Sequence, residues 1–453
     1  MITARSGPIP LAPGGVPLLG HTLPLLRGTL DFLSRLPAYG GVVGVRVGPL
    51  RTIVVCDPEL TREFLRDDHI FDKGGRFFEL ARELAGHNLA TCAHDRHRRQ
   101  RRLIQPAFSR DRFDGYGQIM AARSSSAASA WHDGQILDVL PEMQKITLST
   151  LVETMFCDEL PGHVVSQAVE DLSAIFGGSY LRASVPPWLA WVPGFGKRRM
   201  VEAAARLRKN LAVIIAERRA DGTDHGDLLS ALLPGRAPDG REVCTFENGF
   251  TGSEVSDQVM AFFGAGTDTT AAALAWTLHL VACHSEVQQR VQAEVDAVLA
   301  GLPPSLDDLP ALRFTGWVVT EAMRLFPPAW ILTRVIPADA DLGPYRLPAG
   351  STVVCSPYLI HRRADLYPAP EQFDPDRWDA SKPQPPRYAY IPFGAGARKC
   401  IGDQFAYKEA VLALAAISSR WHLSHGPGRG PKAYAGVTLR PQGLRLRMTS
   451  RTK

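Results

Sequence analysis

The chain has 453 residues, of which 45% are apolar and 21% charged, enough to bury a large core and too mixed to be a disordered tail. A formal charge of +5 is mild for this length and makes no general case for a nucleic-acid binder, although it leaves room for one local basic patch. The 7 cysteines include no Cys-x-x-Cys pair, which excludes a zinc ribbon or thioredoxin motif, and their wide spacing predicts reduced thiols rather than a disulfide scaffold.

Residues 1–30 are rich in proline and read as an extended leader. No run reaches the roughly 20 apolar residues of a membrane span, and no secretory cleavage pattern is present, so a soluble, cytoplasmic protein is expected. Residues 42–56 alternate around Gly48-Pro49 and predict a β-hairpin; Pro58 then opens a short helix. Helical period continues over 141–156, 164–177, 199–220, 253–284, 285–300 and 314–326, with a long loop over 221–252. After residue 330 come short β-like runs at 332–336 and 351–355, an irregular stretch over 361–399, a helix over 401–419 and strand-like ends at 435–448. With no repeat and no linker, residues 1–453 read as one domain, mainly α with small β-sheets near its ends.

The strongest chemical signal is Phe393-Gly394-Ala395-Gly396-Ala397-Arg398-Lys399-Cys400-Ile401-Gly402. Two glycines two apart permit a tight loop with positive φ. Cys400 falls where a helix begins, and a helix N-terminus favours thiolate over thiol. Such a thiolate can ligate iron from one side and leave the other open, with Phe393 shielding the sulfur. The other six cysteines, at 56, 92, 157, 244, 283 and 355, read as ordinary inert thiols.

The pattern Phe-Gly-x-Gly-x-Arg-x-Cys-x-Gly resembles the haem-binding loop of the cytochrome P450 family, the haem-thiolate monooxygenases. The resemblance implies the cytochrome P450 fold, haem b as cofactor and Cys400 as the metal ligand. The helix over 253–284, with Ser253 as N-cap, carries Ala265-Gly266-Thr267-Asp268-Thr269-Thr270, a poor design for a helix interior. Either the threonines bond back to carbonyls and the helix bends, or a turn opens beside the iron. The segment resembles the family's Ala-Gly-x-Asp/Glu-Thr-Thr motif, which implies catalytic roles for Asp268 as proton relay and Thr269 as partner of bound dioxygen.

Glu321 and Arg324 share a helical face just before Pro327-Pro328. With Arg377 they resemble the family's buried network behind the cysteine loop, a structural role. In the basic run 96–102, His97 and Arg101 lie four apart. They resemble the family's propionate ligands, as do Arg334 and Arg398, while Arg98, Arg99 and Arg102 are left for the surface. His361 receives no functional role. The sequence contains no flavin or iron–sulfur module, so a ferredoxin with its ferredoxin reductase is the expected electron donor. Arg98, Arg102, Lys399 and Lys408 are the expected docking face.

Phe77, Phe78, Phe262, Ala265, Trp330 and Ile331 are the expected lining for an apolar small-molecule substrate. The segment 71–75 and the helix after it are similar to bacterial sesquiterpene oxygenases, which points to a terpene; a fatty acid, steroid or polyketide stays open. The alternatives to an oxygenase are a haem-thiolate isomerase or dehydratase acting on peroxides, against which Asp268-Thr269 argues, and a non-enzymatic haem sensor or carrier.

Overall fold

Local chemistry sets most element boundaries. The computed structural model describes residues 8–48, 50–157, 162–184, 197–233, 235–236, 242–243, 250–428 and 430–451. The leader is not extended throughout: helix α1 (Thr22–Arg35), bent at Gly28, occupies its second half and buries Leu33. Pro24 does not break it, because proline is tolerated in the first turn, where the N–H has no intrahelical partner. Strands β1 (Val42–Val47) and β2 (Leu50–Val55) form the expected antiparallel hairpin, with Val43 opposite Val54. Helix α2 (Pro58–Arg66) starts at Asp57, whose carboxylate accepts from the N–H groups of Glu59 and Leu60.

Helices α3 (Gly75–Ala85), α4 (His94–Ile104) and α5 (Arg110–Ala130) come next. The last of these was not legible as a helix, because Gly115, Gly117 and a serine run blur its period. Gly117 is there for contact: a Cβ on it would lie 2.1 Å from the Leu306 side chain. The chain continues through β3 (Ile136–Asp138), α6 (Val139–Phe156), α7 (Gly162–Ser184), α8 (Lys197–Asp221) and the two-residue strands β4 (Gly235–Arg236) and β5 (Glu242–Val243). The expected loop over 221–252 lies partly outside the described residues, as does Cys244.

Helix α9 (Gly252–Cys283) is capped by Thr251 rather than Ser253: Thr251 and Glu254 form a reciprocal capping box slightly earlier than expected. Then come α10 (Ser285–Leu299), α11 (Arg313–Leu325), β6 (Leu332–Val335), the hairpin β7 (Ala340–Leu342) and β8 (Tyr345–Leu347), β9 (Thr352–Cys355) and the single turn α12 (Pro357–Ile360). Helix α13 (Asp403–Arg420) leads into β10 (Trp421–His425), β11 (Lys432–Ala435), β12 (Leu439–Gln442) and β13 (Arg445–Ser450).

The sheets stay small. One has the order β1-β2-β9-β6, in which β2 and β9 run parallel; another has the order β10-β13-β3. The helices bury two large clusters, one among α9, α10, α11 and α13, the other among α6, α7, α8 and α9. Helix α9 is therefore apolar on nearly every side, as a central helix must be. Among the described residues, no helix is long and apolar enough to cross a membrane.

Candidate active site

The cysteine loop owes its shape to its glycines. Gly394 and Gly396 have φ of +68° and +69°. A Cβ on Gly396 would lie 2.1 Å from the carbonyl oxygen of Leu65 in α2, so only glycine fits there. The Cys400 amide donates to the Phe393 carbonyl (2.9 Å), closing the loop. Phe393 packs against the α9–α13 cluster, and Ile401 against the α6–α9 cluster. Cys400 precedes α13 by three residues instead of starting it. Its side chain is open to solvent although protein surrounds it, as for a group lining a crevice. Burial pushes its thiol up, opposed by the Gly402 amide and by Arg101 and Lys399. The expected bias toward thiolate is therefore outweighed in the protein alone; binding a metal would supply it.

Around this loop lies an excess of positive charge. Arg334, on β6, is 4% exposed, and burial lowers its pKa to about 10. Among the described residues its guanidinium makes one hydrogen bond, to the Thr333 carbonyl (2.8 Å). Lys73 is held well below the usual lysine range by burial and by Arg334 and Arg398. Its ammonium sits 4.5 Å from the centroid of the Phe78 ring. The Asp72–Val335 bridge sets Lys73 beside β6. His97 is buried, and burial first, then Arg398 and Arg101, lower its pKa to about 3.

Two of the expected propionate ligands have partners within the protein. Arg398 binds Asp68 (3.0 Å), Asp72 (2.8 Å) and the Cys92 carbonyl (2.9 Å). Arg101 donates to the carbonyls of Lys399 (2.6 Å) and Ala397 (3.3 Å), tying α4 to the cysteine loop. With Asp68 and Asp72 both taken by Arg398, Lys73 and Arg334 lack a carboxylate of their own. A lone thiol beside cations short of carboxylates is the donor set that an iron porphyrin with two propionates requires. The residues present fit that group. Lys73 joins the set from a segment that the sequence pointed to for another reason, the substrate.

Helix α9 runs unbroken through 265–270, so of the two alternatives the opened turn is not the one seen. Gly266 serves instead for close packing: a Cβ there would lie 3.2 Å from Leu151 of α6. Thr269 Oγ donates back to the Ala265 carbonyl (2.6 Å), the local bond that such residues favour. Yet Ala265, mid-way along this central helix, is exposed, so a groove reaches it. Asp268, by contrast, is 2% exposed. It accepts from Gln144 of α6 (2.8 Å) and from Thr438, and lies 3.8 Å from Arg440 of β12. None of these three partners carries a signal in the sequence.

The corner behind the loop is fully paired. Arg324 grips Glu321 with two bonds of 2.8 Å, both side chains being wholly buried. Glu321 also accepts from Arg377 (3.4 Å) and from the Trp378 indole (2.9 Å). The network reaches the cysteine loop through His361. Its Nδ1 meets the Arg324 carbonyl (3.1 Å), and its Nε2 accepts the Ile391 amide (2.8 Å). This fixes one neutral tautomer, and burial together with Arg324 lowers the pKa to about 3. His361 thus has a structural part that the sequence did not reveal.

Two expectations about surfaces need correction. Trp330 is a core residue of the cluster under β1 and β2, its indole N–H held by the Gly436 carbonyl (2.8 Å). Arg99 pairs with Glu254 at the start of α9 (2.9 Å), so it is not left for the surface. Phe77, Phe262 and Ile331 are half-buried and Phe78 is buried. Of the docking residues, Arg98 and Arg102 are exposed, Lys399 pairs with Asp403, and Lys408 lies over Phe113 at 4.3 Å.

A glycine-shaped thiol loop, an unbroken helix bared to a groove at Ala265 and a surplus of buried cations converge on one class of protein. The chain belongs to the cytochrome P450 family, whose pattern matches residues 10–448. It is 40% identical over 443 residues to pentalenene oxygenase of Streptomyces avermitilis, covering 97% of each chain. It is 42% identical over 420 residues to cyclooctat-9-en-7-ol 5-monooxygenase of Streptomyces melanosporofaciens, covering 92% of this chain and 90% of that one. Cyclooctatin synthase of the same organism is 39% identical over 441 residues, covering 96% and 94%. The protein is a haem-thiolate monooxygenase that uses dioxygen and takes electrons from a redox partner.

Proposed function

We propose that this enzyme hydroxylates a polycyclic terpene, and that Cys400 would hold haem b through its sulfur. We propose further that it works in the cytosol and is reduced by a ferredoxin that a ferredoxin reductase recharges. The observation that carries the assignment of the site is the pairing of the Cys400 loop with the cation surplus of Lys73 and Arg334. Lys73, Arg334 and His97 would meet the propionates, while Arg101 and Arg398 position the loop and the segment 68–73. Phe393 shields the sulfur. When bound, the haem supplies reductive activation of dioxygen and transfer of one oxygen atom to a C–H bond.

The protein orients the substrate, excludes water and delivers protons. Phe77, Phe78, Phe262, Ala265 and Ile331 would line the substrate site with apolar side chains, which suits a hydrocarbon skeleton. The substrate class is taken from the names of the Streptomyces relatives. Thr269 Oγ leaves the Ala265 carbonyl and donates into the groove; Asp268 restores its proton. Gln144, which holds Asp268, also lines a cleft of about 480 Å³ between α6, α7 and α8, together with Glu170, Ser173 and Arg199. That cleft is the inlet for solvent protons.

The test is spectroscopic and isotopic. Wild-type protein should give the red-shifted carbonyl spectrum of a thiolate-ligated haem, and Cys400→Ala should lose it; a variant that keeps it refutes the ligand. Terpene hydrocarbons should shift the haem band, whereas fatty acids should not. Label from oxygen-18 dioxygen should appear in the product, one reduced cofactor being consumed per turnover. Conversion of an organic peroxide substrate, with neither dioxygen nor reductant, would instead favour an isomerase or dehydratase.

A further inference from the structure

Far from the groove, at the C-terminal end of α9, two imidazoles and a thiol meet. His279 and Cys283 are four residues apart and share a helical face. His425 comes from the last position of β10. Among the described residues this is the one group of three such ligands whose donor atoms all lie within 4.8 Å of one another. Cys283 Sγ is 3.2 Å from His425 Nε2, and 3.7 Å and 3.9 Å from the two ring nitrogens of His279. The two imidazoles stand edge to face, their centroids 5.2 Å apart.

These separations match those around one ion. Zinc bound to sulfur at about 2.3 Å and to nitrogen at about 2.0–2.1 Å in a tetrahedron sets sulfur and nitrogen roughly 3.5 Å apart. The set is also held in place before any ion arrives. Gln288 of α10 clamps β10 twice, accepting from the Leu423 amide (2.6 Å) and donating to its carbonyl (3.0 Å). Gln292 adds a bond to the Trp421 carbonyl (3.2 Å). His279 is set edge-on against Trp276. Cys283 and His425 are exposed, so an ion can reach them and a water can complete its coordination.

We propose that His279, Cys283 and His425 form a binding site for one thiophilic divalent ion, zinc in particular, which fastens the end of α9 to β10. One thiolate and two imidazoles suit zinc and exclude magnesium and calcium, which take oxygen ligands. Binding displaces the thiol proton, so the ion takes the place of a thiol–imidazole hydrogen bond.

The experiment is equilibrium dialysis of the haem-loaded protein against zinc chloride, with metal counted per chain. Wild-type protein and Cys157→Ser, which removes another exposed thiol, should each hold one saturable equivalent. Cys283→Ser and His425→Ala, both exposed and expected to fold, should lose it; magnesium should not compete. Zinc should also protect Cys283 from alkylation, read by peptide mass mapping, and raise the unfolding temperature of the wild type but not of Cys283→Ser. Unchanged zinc content in Cys283→Ser and His425→Ala, or no saturable zinc in the wild type, overturns the proposal.

Discussion

Two regions of this molecule bury charge in opposite ways. Behind the cysteine loop, Glu321, Arg324, Arg377, Trp378 and His361 satisfy one another, and Glu321 and Arg324 are wholly shielded from water. In front of it, Arg334 has one hydrogen bond and Lys73 an aromatic face. A paired buried network holds a backbone in place, and removing one member strands the rest. An unpaired buried cation weakens the empty protein and is retained where a bound anion completes it. The contrast separates scaffold from site without reference to any relative.

The sharpest way to break this contrast is Glu321→Ala. It strands Arg324 in the interior and should cost about 3–5 kcal/mol. Soluble protein should then come without haem, and fully haem-loaded protein of normal unfolding free energy would contradict the reading. Next is Asp268→Asn, which should slow product formation about 100-fold, the scale of one proton transfer. Reduced cofactor would still be consumed, so the ratio of product to cofactor is the measurement. Lys73→Met tests the other half of the contrast. Haem affinity should drop by about 1.5–3 kcal/mol, roughly tenfold or more. The haem-free protein should melt at a higher temperature than the wild type, whereas no variant of the paired corner should gain stability.

Per pH unit, the smallest effect is that of pH itself. His361, with its pKa lowered to about 3, refuses a proton that the unfolded chain accepts below about 6.5. Stability should therefore fall as pH drops through that window. Glu409 of α13 is the reverse case: burial raises its pKa to about 8, and Oε1 has no partner. The native state keeps that proton above the carboxylate's ordinary value of 4.5, so stability should fall as pH rises from there toward 8. Each slope is at most about 1.4 kcal/mol per pH unit. Urea unfolding of Glu409→Gln should lose the alkaline slope and keep the acid one.

The sequence was most informative where chemistry demands particular residues at fixed offsets. The loop at 393–402, the Glu321–Arg324 turn and the β-hairpin at 42–56 are of that kind. It was weakest where a residue serves through a distant partner. Gly266 looked like a device for opening α9, but its reason is Leu151, on another helix far away in the chain. Thr438, Arg440 and Gln144 meet Asp268 only in three dimensions. Helix α5 left no periodic signal because glycine and serine dilute a helical pattern, and Gly117 is there because Leu306, a distant residue, packs on it.

The bond between Arg398 and the carbonyl of Cys92 joins positions 306 residues apart, and that between Arg101 and Lys399 spans 298. A growing chain on the ribosome therefore holds half of this centre long before the other half is made. Closing such distant partners is slow. Until synthesis passes residue 400, the cations of the earlier half have no thiol to face, and under the proposed site the cofactor can be captured only after that.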